Sequence, residues 1–499
     1  MIDTMKTKLT YLCAMATVLV FAVVFSQIDS TNKNKRYIQH EEEMRPEEAI
    51  PETEFASHLP IITVDTDTDK MIWYNSNGVY DDKNQPVPNM TAEEAEEKRE
   101  VGCRIRVFDE EGVWHTLKDN PQVTSGGGIR IRGNSSKNFD KKSYQLKFLK
   151  ENGEEERKSL AGMTKASEWV LNGPILDRTL IRNYLCYNVA GQVMKYTPDV
   201  RYCELFLNGE YKGVYLAVEA VTRDEGRLEL TKADKNQAVT SWIIRMDRDE
   251  KDDIPVNNFA YYTFQMGVSG VDLRYPGKDT LTSEHFQYVQ EDLSEIERAI
   301  HSAERSDPAK GYQAYLDVPE FARYFVLNEF FGNMDAGRFS TYYYKDVRGK
   351  VAPVVWDFNN VCGNYIDIYD ENSFNITQSP WFGQLVKDKN FVKEVLKQYD
   401  KLRKTVLSDQ YLMDFIDETV AYLQDAVERN YEVYGYLFDL SQTDTLNYLS
   451  PLERNYTSYE ESVKQLKEWL VKRGSWLDEH MDTLLQYCQD SKTVTEIVE

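Results

Sequence analysis

Cysteine is scarce in this chain, and its spacing has no pattern. One of the six, Cys13, falls in an N-terminal apolar run. The other five (Cys103, Cys186, Cys203, Cys362 and Cys488) form no C-x-x-C pair and no metal-ligand spacing. An odd number excludes a complete internal disulfide framework, so buried free thiols are expected. Positive charge is also short: 59 Lys and Arg against 83 Asp and Glu give a formal net charge of -24. A nucleic-acid partner needs a basic footprint, and attachment to anionic lipid needs a polybasic cluster, so both are set aside. The charge suits an exported protein kept soluble by self-repulsion. No internal repeat and no low-complexity tract is present. Tyrosine is plentiful, with 33 copies, as core-edge residues or as a surface for carbohydrate or protein.

At 499 residues the chain is too long for one small domain and long enough for a two-lobed catalytic unit with extensions. Lys6 and Lys8 precede an apolar run at residues 9–25, and Lys33, Lys35 and Arg36 follow. The run is slightly short for a membrane span and slightly long for a signal-peptide core. Residues 1–28 are therefore read as a signal peptide or membrane anchor. This would be the chain's only contact with a membrane, and it places the rest outside the cytoplasm. Residues 29–57 carry Pro46, Pro51 and acids at 41–43, and read as a charged linker. Residues 1–57 are accordingly expected to be dispensable for folding.

The remainder, 58–490, is read as one domain in two parts. From 58 to 275 strands dominate. Alternation marks 103–108, 128–132 (GIRIR), 143–148 (SYQLKF), 202–207 (YCELFL) and 213–218 (GVYLAV), with Asn208-Gly209 as a hairpin signal between the last two. Thr91 and Glu94 offer a capping box. From 276 to 490 helical periodicity dominates, at 286–300, 321–331, 391–402, 411–427 and 463–484, with a strand pair at 341–344 and 350–355. The fold class predicted is α+β: a protein-kinase-like, two-lobed fold with an antiparallel-sheet-rich N-terminal lobe and a mostly helical C-terminal lobe.

Four segments could carry chemistry. The first is residues 126–148, where two strands flank a loop of small polar residues able to bring N–H groups to phosphate. By parity Lys142 shares a face with Tyr144, Leu146 and Phe148, and Lys147 shares the other with Ser143 and Gln145. A surface hairpin with solvated lysines would show the same pattern. The second is residues 169–183, where Asp177 can cap a helix and pair with Arg182. The third is NEFFGNMDAGRFSTYYYKD, residues 328–346. It places Asp335 on a loop between a helix and a strand, where a kinase places its catalytic base; an Asp helping a turn would also sit there. In the fourth, GKVAPVVWDFNNVCGNY at 349–365, Asp357 follows an apolar strand. A desolvated carboxylate there needs a partner, and Mg²⁺ bound through phosphates would be one.

Together these segments resemble the CotH kinase family. The resemblance is carried by RGNSS with KKSYQLKF, DRTLIRN, ELFLNGEYKGVYLAVEAV, LNE with NMD, YYYKD with GK, VVWDFNN, and Phe391, Arg403 and Arg473 in the tail. It implies an atypical kinase that binds ATP and Mg²⁺ (or Mn²⁺) and phosphorylates serine of an extracytoplasmic or surface protein. On that resemblance Asp335 is the catalytic Asp, Asp357 and Asn359 hold the metal, and Lys142 and Lys147 hold ATP phosphates, Lys142 foremost. Glu219 pairs with a lysine or lies by the adenine. Two positions depart from the family pattern. Ser340 stands where Asn is often found, and Asn359 where a second acid is usual, so weaker metal binding is expected. A non-catalytic surface adhesin or scaffold on the same fold is the alternative. A glycosidase with paired carboxylates is a third reading, disfavoured by the order of the motifs.

Overall fold

The computed structural model describes residues 36–43, 45–52, 55–67, 70–248, 250, 253–260, 270–441 and 446–488. The chain divides into Met1–Ile38 and Gln39–Glu499. Only residues 36–38 of the first unit are described, and they carry no helix or strand. The apolar run at 9–25 lies outside the described residues. Among the described residues no helix is long and apolar enough to cross a membrane.

The second unit is mixed α+β. Its strands are β1 (Ala56–Ser57), β2 (Ile61–Thr66), β3 (Ile72–Asn75), β4 (Gly78–Asp81), β5 (Val101–Phe108), β6 (His115–Thr116), β7 (Val123–Arg132), β8 (Ser143–Leu149), β9 (Glu168–Asn172), β10 (Val200–Leu207), β11 (Glu210–Glu219), β12 (Trp242–Asp247), β13 (Gly270–Tyr275), β14 (Thr341–Lys345) and β15 (Ala352–Val354). Seven of them close a barrel in the order β10-β11-β9-β8-β7-β5-β2. The closing pair, β2 with β10, is parallel, and the other neighbours are antiparallel. The period of two read from the sequence decides which side chains fill it. Ile129 and Ile131 of β7, Tyr144, Leu146 and Phe148 of β8, and Trp169 and Leu171 of β9 pack inside. Burying each large apolar side chain is worth about 1.5–3 kcal/mol. The interior is tight: a Cβ on Gly127 would fall 2.4 Å from the Lys147 carbonyl oxygen, so only glycine fits there. The hairpin predicted at Asn208-Gly209 is present. Both residues have left-handed φ, at 52° and 78°, as a two-residue turn of this hand requires. The capping box predicted at Thr91 and Glu94 is also formed.

A second sheet runs β13-β12-β14-β15, all antiparallel. It takes strands from both sides of residue 275, so the division expected there runs through a sheet. Local periodicity marks the strands without indicating that β12 and β14 are partners. Helices predicted in the C-terminal half are found at Ser283–His301, Val318–Phe331, Lys389–Arg403 and Tyr459–His480. The single helix predicted at 411–427 is two, Asp409–Leu423 and Asp425–Tyr434, broken at Gln424 with φ 28°. The break redirects the chain so that Asn430 reaches the Lys141 ammonium, at 2.7 Å, and the Val214 N–H of β11.

Described residues between 39 and 57 are bonded into the second unit. The buried Gln39 side chain accepts from the Tyr202 N–H at 2.7 Å and donates to the Tyr202 carbonyl at 3.3 Å. Arg45 pairs with Asp425 at 2.7 Å, and β1 pairs with β6. The Ser57 hydroxyl donates at 2.6 Å to Glu204, a carboxylate with no exposed surface that also holds Tyr211 and Arg429. Polar bonds and isolated anchors hold this segment, so no apolar periodicity betrays it. A chain starting at residue 58 is therefore expected to lose about 3–5 kcal/mol relative to one starting at 37, at roughly 1 kcal/mol per lost bond plus a weakened site for Glu204. Equal urea midpoints for the two chains would refute this.

Candidate active site

A cleft of about 340 Å³ lies on the outer face of the barrel, within the range of small-molecule sites. One wall is set by strand alternation. With Ile129 and Ile131 inside, Arg130 and Arg132 point out, opposite Gln145 and Ser143 of β8. The opposite wall comes from the second sheet, the loop before β14 and the chain after β15, and carries Asp247, Tyr342, Asp335, Asp357 and Asn359. The loop after β7, Gly133 to Lys137, forms an edge.

Asp335 is placed by the end of the helix Val318–Phe331. Gly332, at φ 66°, closes that helix in the left-handed region. Asn333 then braces the loop, donating to Asn328 and accepting from the Asp335 N–H at 3.2 Å. The Asp335 carbonyl accepts from the N–H groups of Arg338 and Phe339 at 3.1 and 2.8 Å. These bonds use the Asp335 backbone and leave its carboxylate to the cleft. Ser340 lines the cleft at φ 48°, a conformation that Asn adopts more readily than Ser.

Asp357 follows β15 with φ 59°, also left-handed. The helix Arg182–Gly191 holds it there. Asn183 and Tyr187, four apart on one helix face, accept from the Phe358 N–H at 2.9 Å and the Asp357 N–H at 3.0 Å. The Asn359 amide donates to Asp357 Oδ1 at 2.6 Å, and its oxygen accepts from Asn183. Asp177 and Arg182 form a buried ion pair at 2.6 Å, and Arg182 also donates to the carbonyls of Val361 and Cys362 at 3.1 and 3.3 Å. The pair thus braces the chain just beyond Asn359.

The electrostatics are those of acids crowded out of water. Burial, then the charges of Asp357 and Asp247, raise the Asp335 carboxyl to about 6, against the pull of Arg248 and Arg338. Burial also raises Asp357, opposed by Arg132 and by the bonds from Asn359. Asp247 is raised by burial and by Asp357, with Arg245 opposing. Arg132 lies over the Trp356 ring at 5.6 Å and Arg248 over Phe339 at 3.8 Å, so each arginine is steadied on an aromatic face beside its acid.

Among the described residues no group of three or more His, Cys, Asp and Glu side chains is arranged to hold a metal ion. Asp357 and Asn359 do fit a partial set. They already meet edge to edge, and turning the Asn359 amide over would put its oxygen beside the Asp357 carboxylate at the cost of the bond it accepts from Asn183. One carboxylate, one amide oxygen and the oxygens of a bound phosphate suit Mg²⁺.

Asp335, Asp357 and Asn359 thus share one cleft. Lys142, Lys147 and Glu219 are not among its lining residues. Lys142 points with the barrel-facing parity of β8 and is buried behind the loop, bonded to Lys137 and Asn84. Lys147 pairs with Glu100 at 3.4 Å. Glu219 lies between two cleft residues, Val218 and Ala220, but turns the other way, to the Asp199 N–H and Arg227. The basic residues that do line the cleft include Lys137, Arg130 and Arg132. Parity within GIRIR is a signal that could have indicated the two arginines. Nothing local marks Lys137 or Asp247, whose places depend on how the loop and the second sheet pack.

The chain matches the family model described as CotH kinase protein over residues 129–477, and it belongs to that family. It is also 23% identical to the inner spore coat protein H of Bacillus subtilis (strain 168) over 390 residues, covering 76% of this chain and 93% of that protein.

Proposed function

We propose that the chain is a protein kinase with a two-lobed, kinase-like arrangement, transferring the γ-phosphate of ATP to serine of an extracytoplasmic or surface protein. The observation that supports this best is the meeting of Asp335 and Asp357 in one cleft, at the two ends of the β14–β15 hairpin. Beside them stand Asn359 and the Gly133–Lys137 loop. Asp335, desolvated and raised, would take the acceptor hydroxyl proton. Lys137, Arg130 and Arg132 would neutralise phosphate oxygens. Asp357 and Asn359 would hold Mg²⁺, which when bound screens the phosphate charge. Kinship to a spore coat protein supports a place outside the cytoplasm. One observation favours a non-catalytic binding protein instead: Asn359 stands where the family pattern has an acid, and both ends of its amide already have partners.

Labelled ATP, Mg²⁺ or Mn²⁺ and a serine-rich acceptor provide the test, read against pH. Transfer should rise as pH passes through about 6, where Asp335 loses its proton. Arg248→Ala removes a cation that lowers this carboxyl, so the acidic limb should move to higher pH. The sign for stability is opposite. Because the folded value lies above the ordinary 3.8, the protonated carboxyl favours the folded state, and that contribution is lost as pH rises through about 6. No labelled product at any pH, with no ATP bound, would favour the binding-protein reading.

A further inference from the structure

Lys142 is only 2% exposed, although burying an ammonium is costly unless its bonds are made elsewhere. It lies 4.9 Å from the Trp73 ring and donates to two neutral oxygens, the Lys137 carbonyl at 2.6 Å and the side-chain oxygen of Asn84. Asn84, in the turn after β4 with φ 60°, completes a closed set of contacts. Its amide donates to the Asn138 carbonyl at 3.0 Å. Asn75 of β3 donates to the Asn138 side chain at 3.2 Å, and the Lys137 ammonium lies 5.6 Å from the Tyr74 ring. The β3–β4 hairpin and Lys142 therefore grip residues 137 and 138 from behind, while Gly133 to Lys137 face the cleft. The loop itself is tight: Gly133 has φ 108°, and a Cβ there would fall 1.8 Å from the Ser136 hydroxyl. The neighbouring Lys141 ties the same stretch the other way, to Val214 of β11 at 2.6 Å and to Asn430.

We infer that Lys142, together with Asn84, is a positioning residue for the phosphate-binding loop: it touches no nucleotide and acts by holding the Lys137 carbonyl from behind. This rests on the kinase reading of the cleft. It assigns the hairpin at 72–84 a part in nucleotide affinity, although the hairpin does not line the cleft. A trans peptide holds C=O and N–H on opposite sides, so an anchored Lys137 carbonyl also orients the next N–H in the loop.

The test uses the full chain with Lys142→Met, which keeps length and removes the charge, and Asn84→Gly, a less buried change that removes the amide at a position whose φ of 60° glycine adopts without strain. Two measurements are needed. Amide hydrogen exchange at residues 134–139 should quicken about tenfold or more in both variants as local opening becomes easier. Calorimetric Kd for ATP with Mn²⁺ should weaken about tenfold or more, the scale of a lost charge-assisted bond. The double variant should lose less than the sum of the two, because both residues serve one network. Unchanged exchange overturns the inference, whatever ATP does. Quickened exchange with unchanged ATP affinity overturns the link to nucleotide binding alone. A wild-type chain that binds no ATP overturns the kinase reading and this role with it.

Discussion

Replacing Asp335 by Asn should lower phosphoryl transfer about 10²–10⁴-fold, the usual contribution of a general base, and leave ATP affinity within about twofold. The substitution is clean because the loop is held by the Asp335 backbone, which accepts from Arg338 and Phe339 and donates to Asn333. An amide keeps all three bonds. It also removes one of the crowded acids, so thermal stability should not fall. A carboxylate that merely shaped the turn would be replaced by Asn at little cost to rate. Steady-state transfer, with a calorimetric Kd for ATP measured on the same preparation, separates the two roles. Equal rates for the variant and wild type would remove Asp335 from the chemistry.

Asp357→Ala should abolish metal-dependent ATP binding, a loss of about a hundredfold or more if the carboxylate is the main protein ligand of the ion. Alanine brings a complication of its own. Asp357 has φ 59°, and a left-handed backbone costs Ala about 1–2 kcal/mol. Asp357→Asn is the better partner experiment, since Asn tolerates that conformation and can keep the bond with Asn359. Both variants should lose Mn²⁺-dependent binding of ATP in calorimetry, and the Asn variant should melt no lower than wild type. Unchanged affinity in either folded variant would end the assignment of Asp357 as metal ligand. The contrast with Asp335→Asn, which should bind ATP and fail to transfer, gives each acid a separate signature.

Much of the fold and of the cleft is legible in the amino-acid sequence. Alternation in GIRIR and SYQLKF marks two barrel strands and sorts inward from outward side chains, because a strand's period of two is a local property. Asn208-Gly209 specifies its hairpin for the same reason. The residues after Asp335 and before Asp357 read as one strand pair, so their shared neighbourhood is within reach of sequence spacing. The lysines are harder. Parity places Lys142 on the same face as Tyr144 and Leu146, which in a closed barrel is the inward-facing parity and carries it away from the cleft. In a flat surface hairpin that face would stay open.

The sequence alone determined many of the elements, the chemistry available at 126–148, 328–346 and 349–365, and the family those motifs resemble. These are properties of neighbours along the chain. Only the tertiary structure decided which groups meet. The inward face of the closed barrel kept Lys142 out of the cleft lined by the acids, and pairing of β12 with β14 brought Asp247 to them. Asn183 and Tyr187, some 170 residues upstream, proved to hold Asp357 in place. Gln39 and Ser57 proved to be bonded to Tyr202 and Glu204 of β10. Such contacts depend on which surfaces are buried against each other and which polar groups must then find partners, and no local period in the sequence encodes that.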